Sequence, residues 1–187
     1  RQLADRSVRL ATRTQPLTGL SEVPDIGETP PPPLASPAVP TDTPFAPLRL
    51  QRLADGFEAQ RGRADAHARA SGERPTVYLA QLGTLADATA RTTFAKNLFE
   101  AAGIRTIAGP PADFPTSGAS VVCLCSSDKV YAEQAAAAAA DLRAAGAARI
   151  VIAGRRLDIP GVDEEVGLGS DVLDFLTRTL DTLGVAP

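Results

Sequence analysis

The stretch that decides the fold runs from Ser120 to Asp128 and reads Ser-Val-Val-Cys-Leu-Cys-Ser-Ser-Asp. Its first six residues are almost continuously apolar, which is typical of a central parallel strand covered on both faces. The polar residues Ser126, Ser127 and Asp128 that follow belong to the types that cap the N-terminus of a helix. The stretch therefore predicts a buried strand that leads directly into a helix.

The same alternation of strand and helix continues on both sides of this stretch. The predicted helix at 129–145 contains six consecutive alanines, which are strong helix formers and permit close packing on a sheet. Further strands are predicted at 76–82, 104–107, 149–153 and 165–168, and further helices at 87–102 and 171–183. Five β–α units of this spacing predict an α/β fold, a flavodoxin-like doubly wound sheet of five parallel strands in the order 2-1-3-4-5.

Composition excludes several functional classes. Nineteen basic and 22 acidic residues give a net charge of −3, so neither nucleic acid nor a membrane surface is predicted as a partner. One histidine and two cysteines are too few for a zinc ribbon, a multi-histidine metal site or a disulfide framework, and no metal site is predicted. Cys123 and Cys125 alternate along the central strand, which predicts two reduced core thiols in a cytoplasmic protein.

Prolines divide the chain into three regions. Eight of the 16 prolines lie between residues 30 and 47, which predicts an extended polyproline-type linker without helix or sheet pairing. We assign residues 1–27 to an N-terminal region, 28–73 to the linker and an amphipathic helix, and 74–187 to the α/β domain. In that helix Leu50, Leu53 and Phe57 share one face, and His67 is interpreted as a surface residue.

Ligands of doubly wound sheets bind outside the carboxyl ends of the strands, and Ser126, Gly154 and Gly169 are the crevice candidates there. The more economical interpretation of Ser126 and Ser127 is helix capping, and that of Asp128 is a favourable charge at a helix N-terminus. Residues 167–170, Gly-Leu-Gly-Ser, are interpreted as a turn and helix cap rather than an anion-binding loop. No nucleophile–base pair can be assembled, so no catalytic residue is predicted.

Three stretches carry a resemblance to a known family: residues 78–83, Tyr-Leu-Ala-Gln-Leu-Gly, together with residues 90–103 and 121–128. They resemble the C-terminal cobalamin-binding-type domain of methylmalonyl-CoA mutases, in particular that of the small subunit of heterodimeric bacterial enzymes. Residues 11–24 are similar to the end of the mutase substrate barrel, and the proline-rich region to its linker. The resemblance implies that residues 1–27 are a barrel remnant and that the chain begins inside the barrel domain, which accounts for the missing initiator methionine.

The family's cobalamin loop is degenerate in this sequence. In the cobalamin-binding subunit the loop after the first strand carries Asp-x-His-x-x-Gly, in which the histidine ligates cobalt and the aspartate orients it. The corresponding residues here are Leu85, Asp87 and Ala90. The resemblance thus implies that this chain binds no cofactor and that adenosylcobalamin belongs to a partner, the mutase large subunit.

Two functions from different classes follow. The first is a non-catalytic small-subunit portion of a heterodimeric mutase that interconverts methylmalonyl-CoA and succinyl-CoA, serving assembly and stability. The second is a flavodoxin-like binding or sensor domain that still holds a small molecule in the same crevice, for example cobalamin without a protein ligand to cobalt. Cobalamin absorbance of the purified chain distinguishes the two.

Overall fold

The computed structural model describes residues 2–28, 52–154 and 158–187. Its centre is one sheet of five parallel strands in the order β2-β1-β3-β4-β5, which confirms the predicted flavodoxin-like arrangement. The strands are β1 (Thr76–Gln81), β2 (Arg105–Gly109), β3 (Val121–Cys125), β4 (Arg149–Ala153) and β5 (Glu164–Val166).

Helices cover both faces of the sheet. They are α1 (Gln2–Ala11), α2 (Asp55–Ser71), α3 (Leu85–Glu100), α4 (Asp128–Val130), α5 (Ala136–Ala144) and α6 (Val172–Thr182). A single π-helical turn, Tyr131–Ala135, joins α4 to α5, so the three segments replace the one uninterrupted helix predicted at 129–145. None of the helices in these ranges is long and apolar enough to cross a bilayer.

Alternate strand residues build the two halves of the core. Cys123 and Val151 point to the face covered by α3 and α6, whereas Val122 and Ile150 point to the face covered by the helix that follows β3. Both cysteines are buried and unpaired, as predicted. Because β3 is fully buried from Val121 to Cys125, its continuous apolar sequence is explained by contacts on both faces.

In the residues that the structure describes, three of the five strands are followed by a helix of the α type. After β2 the chain forms a 3-10 helix, Pro111–Thr116, in which Pro111 and Pro115 remove two backbone donors. Between β4 and β5 the described residues form no helix, and Ile159 and Val162 pack against the sheet from this connection. The prediction of five β–α units is therefore corrected at these two crossovers.

Helix α2 packs directly on the α/β core, although its sequence groups it with the linker. Phe57 and Ala64 are buried in the same apolar cluster as the sheet residues. At Gly56 an added Cβ would lie 2.7 Å from Leu173 Cδ1, which shows how closely α2 approaches α6. Leu53 remains 37% exposed. The structural unit thus begins before residue 74, because the buried face of α2 belongs to its core.

The N-terminal region also lies against the domain. Leu10 of α1 is buried, and Leu20 packs against the core cluster beneath α3 and α6. Arg61 of α2 donates a hydrogen bond to the Asp25 carbonyl at 2.5 Å. The proline-rich linker predicted at 30–47, and Leu50 of the predicted helix face, lie outside the described residues.

Candidate ligand crevice

The switch point of the sheet lies between β1 and β3, where a doubly wound fold most often binds its ligand. Here the two strand ends are joined directly: the Leu82 N–H donates to the Cys125 carbonyl at 3.2 Å. The Ser126 hydroxyl donates to the Leu82 carbonyl at 2.8 Å, and the whole Ser126 residue is buried. Ser126 therefore ties the loops together and is not a helix cap, whereas Ser127 does cap α4 by accepting from Val130 N–H at 3.4 Å.

The Tyr131 ring occupies the space above these strand ends. Its hydroxyl accepts a hydrogen bond from the Ser126 N–H at 2.7 Å and lies 2.9 Å and 3.1 Å from the carbonyls of Leu124 and Ala153, to which it donates. Burial raises the pKa of this phenol far above its ordinary value, so it stays protonated. One phenol thus satisfies backbone groups at the ends of two neighbouring strands, β3 and β4.

Arg91 of α3 closes the crevice from the other face of the sheet. Its guanidinium donates to the Ala153 carbonyl and to Asp128 Oδ1, the latter at 2.7 Å. The guanidinium carbon lies 5.7 Å from the centroid of the Tyr131 ring, a cation–π distance. Asp128, expected only as a favourable charge on the helix N-terminus, is thus also the acidic partner of Arg91.

A groove of about 490 Å³ remains beside this pair, lined by Ala90, Arg91, Phe94, Ala153, Gly154, Gly167 and Leu168. Gly154 is buried and its N–H donates to the Val166 carbonyl at 2.9 Å. Gly169 has φ +81° and lies in the turn closed by Ser170 N–H on the Gly167 carbonyl. Asp171 then caps α6. Residues 167–170 therefore form the predicted turn, whereas the helix cap predicted within them is Asp171, the residue that follows.

The three residues of the degenerate loop have ordinary structural roles. Leu85 is 73% exposed, and Ala90 lies on the exposed side of α3. Asp87 forms a capping box with Thr84: its carboxylate accepts from the Thr84 N–H at 3.0 Å and from the Thr84 hydroxyl at 2.6 Å. These hydrogen bonds from Thr84 lower the pKa of Asp87 below its ordinary value. The Asp87 carboxylate is thus occupied by hydrogen bonds that stabilise the N-terminus of α3.

These residues do not fit a cobalamin that is ligated from the protein. The chain has one histidine, His67, which lines a groove with Ser120 and Thr76 at the amino ends of β3 and β1, opposite to the crevice. Among the residues described, no group of three histidine, cysteine or acidic side chains could hold a metal ion. No chemical step through cobalt can be derived from this site.

Sequence reasoning missed Arg91 and Tyr131, the two residues that fill the crevice. Arg91 is the one charged residue between Asp87 and Lys96. Tyr131 is the one aromatic residue of the helix predicted at 129–145. Each is therefore conspicuous in its own helix, but the contact between them depends on two elements from opposite faces of the sheet.

The sheet order and the crevice define this chain as an α/β protein of the flavodoxin-like, doubly wound class. No protein-family model matches it. It is 45% identical over 191 residues to the methylmalonyl-CoA mutase small subunit of Streptomyces virginiae, a match that covers 98% of this chain and 30% of that protein. The small subunit of Propionibacterium freudenreichii subsp. shermanii is 39% identical over 98% of this chain and 30% of its own length.

A third relative, the small subunit of Porphyromonas gingivalis, is 35% identical over 74% of this chain and 24% of its own length. The chain belongs to the methylmalonyl-CoA mutase small-subunit family, which confirms the resemblance carried by its sequence. It spans about 30% of the length of the first two of these relatives.

Proposed function

We propose that this chain is the non-catalytic small-subunit portion of a heterodimeric, adenosylcobalamin-dependent methylmalonyl-CoA mutase, and that it serves assembly and stability of the large subunit. The names of its relatives support the mutase and a subunit organisation. The observation that carries the non-catalytic role is the crevice itself. Arg91 and Tyr131 lie over the carboxyl ends of β3 and β4, next to the switch point at which a ligand of this fold class would lie.

Opening the crevice would be energetically costly. A ligand that displaced the Tyr131 ring would leave the buried Ser126 N–H without its acceptor. An unsatisfied buried donor costs about 1–3 kcal/mol, and Arg91 would lose its cation–π contact with the displaced ring. A small ligand without compensating donors and acceptors cannot recover these losses. The filled crevice is thus better suited to stabilising a scaffold than to holding a cofactor.

Co-purification with the large subunit tests this proposal. A full-length small subunit that contains these residues is expressed with a tagged methylmalonyl-CoA mutase large subunit. We expect a stoichiometric complex, a higher melting temperature for the large subunit in the complex than alone, and cobalamin absorbance that follows the large subunit after separation. Failure to form a complex, or a large subunit equally stable and active alone, contradicts the proposal.

The alternative, a small-molecule binding or sensor domain, has one observation in its favour. The apolar groove beside Arg91 has about 490 Å³, within the size range of small-molecule sites. Titration of the chain with cobalamin, followed by its visible absorbance and by calorimetry, separates the two functions. Saturable binding at micromolar concentrations favours the alternative, whereas no binding at that level favours the scaffold.

A further inference from the structure

Strand β2 forms one edge of the sheet, and no strand of the described ranges pairs with its outer side. The Arg105 N–H donates to the Pro75 carbonyl at 2.8 Å, so the backbone groups of Arg105 point toward β1. The backbone groups of a strand point alternately to its two sides. The N–H and C=O groups of Thr106 and Ala108 therefore point away from the sheet.

The middle of this edge carries none of the usual protection against strand pairing. Edge strands are commonly blocked by charged side chains, by proline or by bulges. Residues 106–108 of β2 are Thr-Ile-Ala, without a charge or a proline, and Ala108 is exposed. Arg105 and Pro110 bound this stretch at its two ends. The outward backbone groups of β2 are thus accessible to a second strand.

We propose that β2 pairs in antiparallel orientation with β2 of a second copy of this chain, about a two-fold axis that passes by Ile107. In this register Thr106 of each copy lies opposite Ala108 of the other. The outward N–H and C=O groups of these residues then form hydrogen-bonded pairs, and the two Ile107 residues meet at a non-hydrogen-bonded position, where side chains approach closely. The two sheets become one continuous sheet.

Two charged residues lie on the same face of the sheet at opposite ends of β2. Ile107 pairs with Tyr78 in the ladder and packs in the same half of the core, and Arg105 shares this face because side chains alternate along a strand. Asp113 lies on this face too, since a Cβ added at Gly109 would be 3.7 Å from Asp113 Oδ2. One face therefore carries a cation near the start of β2 and an anion near its end.

This arrangement is complementary to itself in the antiparallel register. Arg105 of one copy lies opposite Gly109 of the other, and Gly109 has no side chain to separate Arg105 from Asp113 of the other copy. Arg105 and Asp113 are exposed, and neither forms an ion pair with a described residue of its own chain. A two-fold axis repeats each contact, so two ion pairs form. This match favours a second copy over an unrelated extended peptide.

The other face of β2 does not obstruct the pairing. The Thr106 hydroxyl donates to Glu100 Oε1 at 3.0 Å, which holds this side chain against α3. The residue opposite Thr106 in the second copy is Ala108, whose side chain is small. Because β2 has five residues, the interface is short and belongs to the weak, transient class. Dimer formation should therefore depend on protein concentration.

Sedimentation equilibrium of the full chain over a range of concentrations tests the proposal. We expect a reversible equilibrium between monomer and dimer. Arg105→Glu and Asp113→Arg should each weaken the dimer on the order of tenfold, because each places like charges opposite one another twice. The combined variant should recover the original affinity, since the charges are exchanged. Lys129→Glu makes the same charge change as Arg105→Glu at an exposed residue of α4, and this matched control should dimerise like the original chain.

Ala108→Pro tests the backbone pairing separately. It removes a donor that points away from the sheet, so the monomer should keep its circular dichroism spectrum while the dimer is lost. If this variant does not fold, the charge exchange decides.

Three outcomes would overturn the inference. These are a chain that stays monomeric at all concentrations, a combined variant that recovers no affinity, and a Lys129→Glu variant that loses as much affinity as Arg105→Glu. A monomeric chain whose edge variants lose affinity for the mutase large subunit would show that the edge binds a different protein. The test is independent of the mutase assignment, because it requires neither a large subunit nor cobalamin.

Discussion

The guanidinium carbon of Arg91 lies 5.7 Å from the centroid of the Tyr131 ring, at the carboxyl ends of β3 and β4. The two residues come from helices on opposite faces of the sheet, since α3 packs on one face and the Tyr131 ring belongs to the core of the other. Their contact therefore closes the top of the sheet from both sides. The Arg91–Tyr131 contact thus connects the helices on the two faces of the sheet.

Replacing Tyr131 by phenylalanine should destabilise the fold. The variant keeps the ring but leaves the buried Ser126 N–H without its acceptor, a loss of about 1–3 kcal/mol in the free energy of unfolding. Tyr78→Phe is the matched control, because within the described ranges the Tyr78 hydroxyl has one hydrogen-bond partner, the Pro110 carbonyl at 2.8 Å. Urea denaturation measures both variants. A smaller loss of stability for Tyr131→Phe than for Tyr78→Phe would show that the contacts of Tyr131 in the crevice contribute little to the free energy of unfolding.

Two glycines of α2 should respond differently to alanine. Around Gly62 an added Cβ meets no atom within 4 Å, so Gly62→Ala should stabilise the protein by about 0.5–1 kcal/mol through helix propensity. At Gly56 the same change places Cβ 2.7 Å from Leu173 Cδ1, so Leu173 must move and part of the gain is lost. Thermal unfolding should rank Gly62→Ala above Gly56→Ala. Equal effects would indicate that α2 does not pack closely on α6.

The capping box should make stability depend on pH through Asp87. Hydrogen bonds from Thr84 lower the pKa of this carboxyl in the folded state below the ordinary value of 3.8. Asp87 therefore contributes its full stabilisation to the folded state when the pH is well above 3.8. This stabilisation is lost as the pH falls through 3.8 toward the lower pKa of the folded state. The stability difference between the original chain and Asp87→Asn should shrink across this window. Denaturation curves at several pH values measure it.

Thr84→Ala provides the matched control for the capping box. It removes the hydroxyl that donates to Asp87 at 2.6 Å and leaves the carboxylate in place. The pH dependence due to Asp87 should then be smaller than in the original chain. If the stability of Asp87→Asn and of Thr84→Ala depended on pH in the same way as that of the original chain, Asp87 would not be held by Thr84.

A histidine introduced at Asp87 should not create a cobalamin site. Asp87→His supplies an imidazole at the position that the family resemblance assigns to the cobalt ligand, but Leu85 cannot orient it. Loss of such an orienting partner typically costs 10–100-fold in metal affinity. The change also removes the acid of the capping box. Calorimetry and visible absorbance should detect no micromolar binding, and tight binding would contradict our view of the crevice.

The parts of the fold that sequence could predict are those set by short-range pattern. The continuous apolar run of β3 and the alternation of strands and helices around it were sufficient for the five parallel strands and their order. The crossovers after β2 and β4 were less predictable, because a helix and a packed loop can supply similar apolar contacts to one face of a sheet. The burial of Phe57 likewise depends on α6, which follows it at the far end of the chain.

The candidate site was predictable only in part. Sequence correctly placed Gly169 in a turn beyond the carboxyl end of β5, whereas Asp87, which it assigned to the loop after β1, lies in the first turn of α3. It assigned Ser126 to a helix cap, whereas the structure uses its hydroxyl to join β1 to β3. Arg91 and Tyr131 were missed because their roles arise from contacts between distant elements, for which one sequence carries no direct signal.

The packing of α2 on α6 also constrains the order in which the molecule can assemble. Gly56 of α2 lies against Leu173 of α6, at the other end of the α/β domain. A growing chain is synthesised from its N-terminus, so α2 is made before α6. The contact between the two helices can therefore form only after the last β–α unit has been made, and until then the apolar face of α2 cannot reach its full burial.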